Sequence, residues 1–237
     1  MVNFNPRGLF VTGTDTGVGK THISAILAHQ LNHRGLVVRP RKPVESGCIP
    51  GEGGLIPTDA ATLMTAAGSD ELLAQICPYR FEQALSPERA AALADKRLTL
   101  DDVSSVCRQG VAVSDFLLVE GAGGFYSPLA AEVLNADLAV ALSLPVLLVT
   151  SNRLGAINQT LLAVEAIKRR GLTLVAVVLN QVTMQIDPDM HNATELSRWL
   201  GAPVLATDYY HIHAAEPAWQ LPCPALTTLV DRLYRGL

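Results

Sequence analysis

The chain has 237 residues, of which 49% are hydrophobic and 17% charged, and it carries a formal net charge of −4. That length and apolar content suit a single α/β domain spanning 1–237 and exclude disorder as a general description. The mild acidity, with no block of like charges, speaks against a broad nucleic-acid-binding face, and the longest apolar run, Leu138 to Val149, is broken by Ser143 and Pro145 and too short for a bilayer.

The aromatic share is only 5%, and the apolar content is mostly Ala, Leu and Val, a mixture that fits helices packed on a buried parallel sheet. Cys48, Cys77, Cys107 and Cys223 form no Cys-x-x-Cys pair, so the spacing supports neither a disulfide framework nor a zinc site. The first eight residues lack the apolar stretch of a secretory signal, and the expectation is a soluble cytoplasmic protein.

Taken in chain order, short β-rich runs alternate with longer helical ones, as in βαβ units. Gly8 to Thr12 predicts the first strand. From Lys20 to about Arg34, Ile23, Ile26, Leu27 and Leu31 recur at helical spacing until Gly35. Leu36 to Arg39 predicts a second strand, and the Pro/Gly-rich stretch from Pro40 to Pro57 a long loop. Helices are expected over Thr58 to Ala67 and Leu98 to Gln109. Asp115 to Val119 predicts a buried strand that ends at Glu120-Gly-Ala-Gly-Gly. Pro145 to Thr150 and Leu174 to Leu179 predict two more strands, separated by a helix from Ile157 to Arg170. His191 to Leu200 predicts a helix, Val204 to Ala206 a short strand, and Leu226 to Tyr234 a closing helix.

Between the first strand and helix the sequence reads Gly13-Thr-Asp-Thr-Gly-Val-Gly-Lys-Thr21. The pattern Gly-x-x-x-x-Gly-Lys-Thr defines a phosphate-binding P-loop when it joins a strand to a helix, as it does here. Gly13, Gly17 and Gly19 let the backbone, with Thr16 and Val18, turn its amides inward toward the helix N-terminus. Lys20 is placed to neutralise the β- and γ-phosphates, and the Thr21 hydroxyl to ligate Mg²⁺. Nothing in a purely structural turn requires Lys-Thr at those positions. The fold class expected is therefore the α/β P-loop NTPase fold, a mostly parallel sheet with helices on both faces. Switch proteins, partitioning ATPases, kinases and ligases all use such a loop, so the chemistry stays open.

Glu120 follows an apolar strand where a Mg²⁺-supporting carboxylate is needed, and Gly121, Ala122 and Gly123 allow backbone to approach the phosphates. Asp59, at the start of a predicted helix, reads by position alone as an ordinary N-terminal helix acid or as a second ligand. Lys42, in Lys-Pro-Val-Glu-Ser-Gly, admits two readings. It is a solvated lysine, or it points into the crevice at the strand ends, where it would stabilise charge on a transferred phosphoryl group. Asn180, after a predicted strand, has the position of a turn residue. His29 and His33 share a helix face without a His-Glu-x-x-His arrangement, and His211 and His213 lack a third ligand; all four are expected at the surface.

Together these segments resemble the dethiobiotin synthetase family. The resemblance rests on Phe10-Val-Thr-Gly-Thr-Asp-Thr-Gly-Val-Gly-Lys-Thr, Lys42-Pro-Val-Glu-Ser-Gly, Asp59, Ser86-Pro87, Val119-Glu-Gly-Ala-Gly-Gly, Leu154-Gly-Ala-Ile-Asn and Asn180, in family order from residue 9 to about 205. It implies an ATP- and Mg²⁺-dependent ligase that closes a cyclic urea on 7,8-diaminopelargonic acid with CO₂, through a phosphorylated carbamate. Lys20 and Lys42 would hold the transferring phosphoryl group, and Thr21, Asp59 and Glu120 would surround Mg²⁺. Thr16 and Ser46 would face the diamine or its carbamate, and Asn180 would contact the base. The resemblance further implies a homodimer, with Gly155, Ala156, Ile157 and Asn158 binding the substrate carboxylate of the partner's site.

The sequence departs from the family in three places. Gly17 stands where the best-known members carry Glu, Glu88 follows Ser86-Pro87 where His is usual, and the base-binding segment past residue 205 gives way to Thr207-Asp-Tyr-Tyr-His-Ile-His. Two alternatives remain at this level: a diverged P-loop amide ligase, and a partitioning-type ATPase. Against the latter, Thr14, Asp15 and Thr16 occupy the place of its extra P-loop lysine, and the C-terminal segment holds only Arg232 and Arg235.

Overall fold

The computed structural model describes residues 7–185, 187–209 and 217–236; His211 and His213 lie outside them. The elements in chain order begin with β1 (Arg7–Gly13), α1 (Lys20–His33), β2 (Val38–Arg41), β3 (Val44–Ser46), β4 (Ile49–Gly51) and β5 (Gly54–Ile56). They continue through α2 (Thr58–Ala66), α3 (Leu73–Ile76), β6 (Tyr79–Phe81), α4 (Pro87–Leu93), α5 (Leu100–Arg108), β7 (Phe116–Gly124), β8 (Pro128–Ala130) and β9 (Val133–Leu134). The remainder is α6 (Asn135–Leu142), β10 (Val146–Ser151), α7 (Ala156–Arg169), β11 (Leu174–Asn180), α8 (Asn192–Trp199), β12 (Val204–Ala206), a 3₁₀ turn at Ala218–Gln220 and α9 (Pro224–Arg235).

Six strands form one sheet in the order β12-β11-β10-β1-β7-β2, and every pairing in it is parallel. Alternation along the strands decides what each face meets. Leu9 and Val11 pack with Ile23, Ile26 and Leu27 of α1 and with α9, whereas Phe10 packs on the opposite side with Val103 of α5 and Leu138 of α6. Both faces are therefore covered by helices, which is why the central strands carry continuous apolar runs, Leu9–Val11 in β1, Phe116–Val119 in β7 and Val146–Val149 in β10. This is the α/β P-loop architecture the sequence predicts. Among the described residues, no helix is long and apolar enough to cross a membrane. The four cysteines are buried and free, and burial pushes the Cys107 thiol up to about 12.

Three segments differ from expectation. The second strand is Val38–Arg41 rather than Leu36 to Arg39. Pro40 is tolerated because β2 is the sheet's edge. Arg41, fully buried, is neutralised by a two-pronged pair with Glu71 at 2.9 and 2.7 Å, a long-range partner that no local pattern announces. The stretch from Pro40 to Pro57 is not one long loop. It holds β3, which pairs with β6, and a hairpin of β4 and β5.

The third difference shapes the site. The strand expected to stop at Val119 continues to Gly124, with a bulge. Val11 pairs with Glu120, but Gly13, two residues on, pairs with Gly124, four residues on. The extra residues push Gly121, Ala122 and Gly123 out toward the P-loop, and Gly123 takes φ 75°, which favours glycine. Asn135, wholly buried at the start of α6, holds this bulge. Its Oδ1 accepts the Ala122 N–H at 3.0 Å, and its Nδ2 donates to the carbonyls of Ala122, Gly124 and Ser127.

Candidate active site

The P-loop joins β1 to α1, and two of its glycines have left-handed backbone: Gly17 at φ 76° and Gly19 at φ 90°. Gly19 is doubly required. A Cβ there would lie 2.1 Å from the Asn180 side-chain nitrogen. At Gly13 a Cβ would lie 2.8 Å from Val18, which is buried beneath the loop. Val18 therefore serves through its backbone: its carbonyl accepts the Asn180 Nδ2–H at 3.0 Å. The Asn180 Oδ1 in turn accepts from the Thr207 hydroxyl at 2.9 Å. Asn180 thus ties the P-loop to the ends of β11 and β12, and it also borders a second cavity.

At the centre, Lys42 is buried and donates to Glu120 Oε1 at 2.6 Å. It also lies 3.0 Å from Asp59 Oδ2. The Thr21 hydroxyl donates to the same Glu120 Oε1 at 2.8 Å. The solvated reading of Lys42 is thereby replaced by a buried one, because β2 ends beside β7 and delivers residue 42 onto the Glu120 carboxylate. Burial alone would depress the Lys42 ammonium, but Glu120 and then Asp59 outweigh it and raise its pKa. Asp59 is held below the usual carboxylate range: burial works against this, and the Lys42 charge overcomes it. Lys20 folds back to donate to the Asp15 carbonyl at 2.9 Å. Burial, followed by repulsion from Lys42, lowers its pKa to about 8.

A cavity of about 600 Å³ opens over these groups. Thr16, Gly17, Gly19, Lys20, Thr21, Lys42, Ser46, Asp59, Ala122 and Gly123, all singled out in the sequence, line it. Glu120 lies beneath its floor, fully buried. Ser46 donates its hydroxyl to the Leu85 carbonyl at 2.7 Å, which orders the cavity rim. Ser86 and Pro87 line the wall, but Glu88 instead accepts the Glu132 N–H at 3.2 Å. A second cavity, of about 450 Å³, begins at Gly17 and Gly19 and extends past Asn180 to Tyr209 and Trp219.

Gly155, Ala156, Ile157 and Asn158 are not brought to either cavity. They form the start of α7, with Gly155 at φ 89° and Ala156 buried. Sequence reasoning missed Glu45 as a functional side chain. It is buried, lines the main cavity and accepts the backbone N–H groups of Asp59 and Ala60, each at 3.0 Å. Burial and the neighbouring Asp59 charge raise its pKa. A partner 14 residues away leaves no periodic trace. Trp219, which lines the second cavity, and Asn135, which holds the β7 bulge, were likewise invisible, since only tertiary packing brings them to those places.

The sheet, the loop between β1 and α1, and the buried Lys–carboxylate cluster at the strand ends define a P-loop nucleotide-binding protein. The fold agrees with solved structures: the MinC:MinD cell division complex of Aquifex aeolicus has TM-score 0.52 at 15% identity, covering 97% of this chain and 86% of that one. A ParA family ATPase from Chlorobium tepidum has TM-score 0.50 at 13% identity, covering 97% and 98%. A family profile described as an AAA domain matches residues 7–207. Closer in sequence is the ATP-dependent dethiobiotin synthetase of Anaeromyxobacter sp. (strain Fw109-5), 45% identical over 201 residues, or 84% of this chain and 88% of the relative. The corresponding protein of Vesicomyosocius okutanii is 40% identical over 210 residues, covering 89% and 94%. The chain belongs to the ATP-dependent dethiobiotin synthetase family.

Proposed function

We propose that this protein forms dethiobiotin from 7,8-diaminopelargonic acid, CO₂ and ATP, with the cavity over Lys20 and Lys42 as the reaction chamber. The observation that carries the reading is the shared oxygen of Glu120, which joins the P-loop hydroxyl of Thr21 to Lys42. One amine of the substrate adds to CO₂ and loses a proton to give a carbamate. A carbamate oxygen attacks the γ-phosphorus and ADP leaves. The neutral second amine then attacks the carbamoyl carbon, phosphate departs, and the ring closes as that amine loses one proton and keeps one N–H in the urea. Little covalent chemistry falls to the protein, whose tasks are positioning and charge stabilisation. Lys20 and Lys42 flank the path of the phosphoryl group. Thr16 and Ser46 lie on the cavity wall where the carbamate would be held, and Asn180 borders the second cavity, which suits the nucleoside.

The residues fit Mg²⁺. Glu120 Oε2 is buried and makes no hydrogen bond among the described residues, so a hard oxygen donor is left over beside Thr21. Asp59 is a second oxygen donor, held in its ionised form. Nucleotide-bound Mg²⁺ uses one or two such carboxylates together with phosphates, rather than an all-protein cage. Bound there, it would neutralise charge on the β- and γ-phosphates. For the substrate carboxylate, the Ile157 and Asn158 amides in the first turn of α7 lack helical partners and suit an anion, whereas the Ala156 amide already donates to the Arg153 carbonyl at 3.1 Å. Because they face neither cavity of their own chain, we read them as serving a second copy. Leu154 at 87% exposure and Leu162 at 60%, beside and on α7, are the apolar surface such a dimer would cover.

The direct test is incubation of the purified protein with the diamine, bicarbonate, Mg²⁺ and ATP, followed by mass spectrometry for dethiobiotin. The expected result is product in step with ADP release. No product from folded protein with any nucleoside triphosphate would defeat the reading.

A further inference from the structure

Helix α2 has no capping side chain of its own, because its N-cap residue is Pro57. Its first-turn amides are satisfied instead from β3, by the two carboxylate oxygens of Glu45. Oε1 accepts the Asp59 N–H and Oε2 the Ala60 N–H, each at 3.0 Å. Glu45 is only 4% exposed, and a carboxylate at a helix N-terminus is favoured by the dipole as well as by the two bonds. The amide it grips belongs to Asp59, whose own carboxylate reaches Lys42 at 3.0 Å. Among the described residues, the ion pairs of Lys42 are with Asp59 and Glu120, not with Glu45. Glu45 therefore touches the backbone of Asp59, while Asp59 touches the lysine.

We infer that Glu45 is a positioning residue: it clamps the first turn of α2 so that the Asp59 carboxylate is presented to Lys42 and to nucleotide-bound Mg²⁺. This rests on the reading of Asp59 as part of the Mg²⁺ shell. The physical reason for the clamp is that Pro57 gives the first turn of α2 no side-chain cap, so without Glu45 the amides of Asp59 and Ala60 would lose their acceptors and the turn that carries Asp59 would be less firmly held. Two charge-assisted bonds to consecutive amides fix that turn without occupying either Asp59 oxygen. Partners that orient metal-binding side chains commonly matter by about 10–100-fold in metal affinity.

The test compares Glu45→Ala, Glu45→Gln, Asp59→Ala and Glu45→Ala/Asp59→Ala in the full-length protein. The readout is binding of a fluorescent ATP analogue, with and without Mg²⁺. For Glu45→Ala, the expected outcome is a rise of about tenfold in half-saturating Mg²⁺, with metal-free affinity changed by less than about threefold. Glu45→Gln, which keeps one acceptor, falls in between and carries the comparison where the alanine variant is unfolded. Hydrogen exchange at the Asp59 and Ala60 amides accelerates in both variants. In the Asp59→Ala background, removing Glu45 adds less than about twofold, because the two residues act in series. Fully additive losses, or normal Mg²⁺ dependence in Glu45→Ala beside a defective Asp59→Ala, would overturn the inference alone. Normal Mg²⁺ dependence in Asp59→Ala would remove the reading of Asp59 and the inference with it.

Discussion

Lys42 and Glu120 form a buried ion pair at 2.6 Å, and the accepting oxygen also holds the Thr21 hydroxyl at 2.8 Å. One carboxylate oxygen thus couples the P-loop to the end of the edge strand β2. The pair ties the cavity floor to fold stability, because the Glu120 carboxylate is fully buried and has no water to fall back on.

Replacing Lys42 with Ala should lower turnover by about 10²–10³-fold, the usual cost of deleting one preorganised stabiliser of developing charge. Nucleotide binding should stay measurable. The same change leaves the Glu120 carboxylate buried without its cation, so the melting temperature should fall, by an amount equivalent to about 3–5 kcal/mol at most. The double variant Lys42→Met/Glu120→Gln should recover stability and not activity. Calorimetry together with product assay separates the two effects, and unchanged turnover in Lys42→Ala would return this lysine to a structural role.

Glycines 17 and 19 should respond differently. At Gly17 a Cβ meets nothing within 4 Å, and only the left-handed φ opposes a side chain, at about 1–2 kcal/mol. Gly17→Glu, which restores the residue usual in the family, should fold and bind nucleotide. At Gly19 the Cβ would meet the Asn180 amide at 2.1 Å, so Gly19→Ala should displace Asn180 and weaken nucleotide binding by at least about tenfold, or about 1.4 kcal/mol. Equal affinities of the two variants in a fluorescent-nucleotide titration would contradict this contrast.

Lys20 supplies a pH signature. Its pKa is lowered to about 8 from 10.5, by burial first and by Lys42 second. The depressed value means that the ammonium costs the folded protein stability at neutral pH, and this cost fades as pH rises from about 8 toward 10.5. Phosphate favours the charged lysine and raises its pKa again. Nucleotide affinity should therefore be full below pH 8 and decline above it, with proton uptake on binding near pH 9. Titration calorimetry in buffers of different ionisation heat measures that uptake; none at pH 9 would count against a depressed Lys20.

Shared sites predict complementation. Lys20→Ala removes the phosphate lysine, and Asn158→Glu places a negative charge at the exposed start of α7. Each variant alone should be inactive with the diamine. Mixed and allowed to exchange, they should recover about a quarter of wild-type activity, because half of the dimers are hybrids with one intact site each. Zero recovery, with exchange verified by native mass spectrometry, would place the carboxylate site within one chain.

Much of this protein was determined locally. Gly13 to Thr21 carries its own conformational instructions, since φ-positive glycines, a strand before and a helix after are all encoded within a few residues of each other. The continuous apolar runs of β1, β10 and β11 likewise announce strands buried on both faces. Lys42, Asp59 and Glu120 could be nominated from sequence, because each sits at the end or start of a predictable element. Only the tertiary structure decided that these three side chains meet, that β7 runs on through a bulge to bring Ala122 and Gly123 to the cavity, and that Arg41 extends the edge strand against Glu71. Those outcomes depend on partners far apart in the chain: Asn135 for the bulge, Glu71 for Arg41, Glu45 for the first turn of α2. A hydrogen bond or ion pair across such distances leaves no period in the sequence, because its geometry exists only once the sheet has brought its strand ends together.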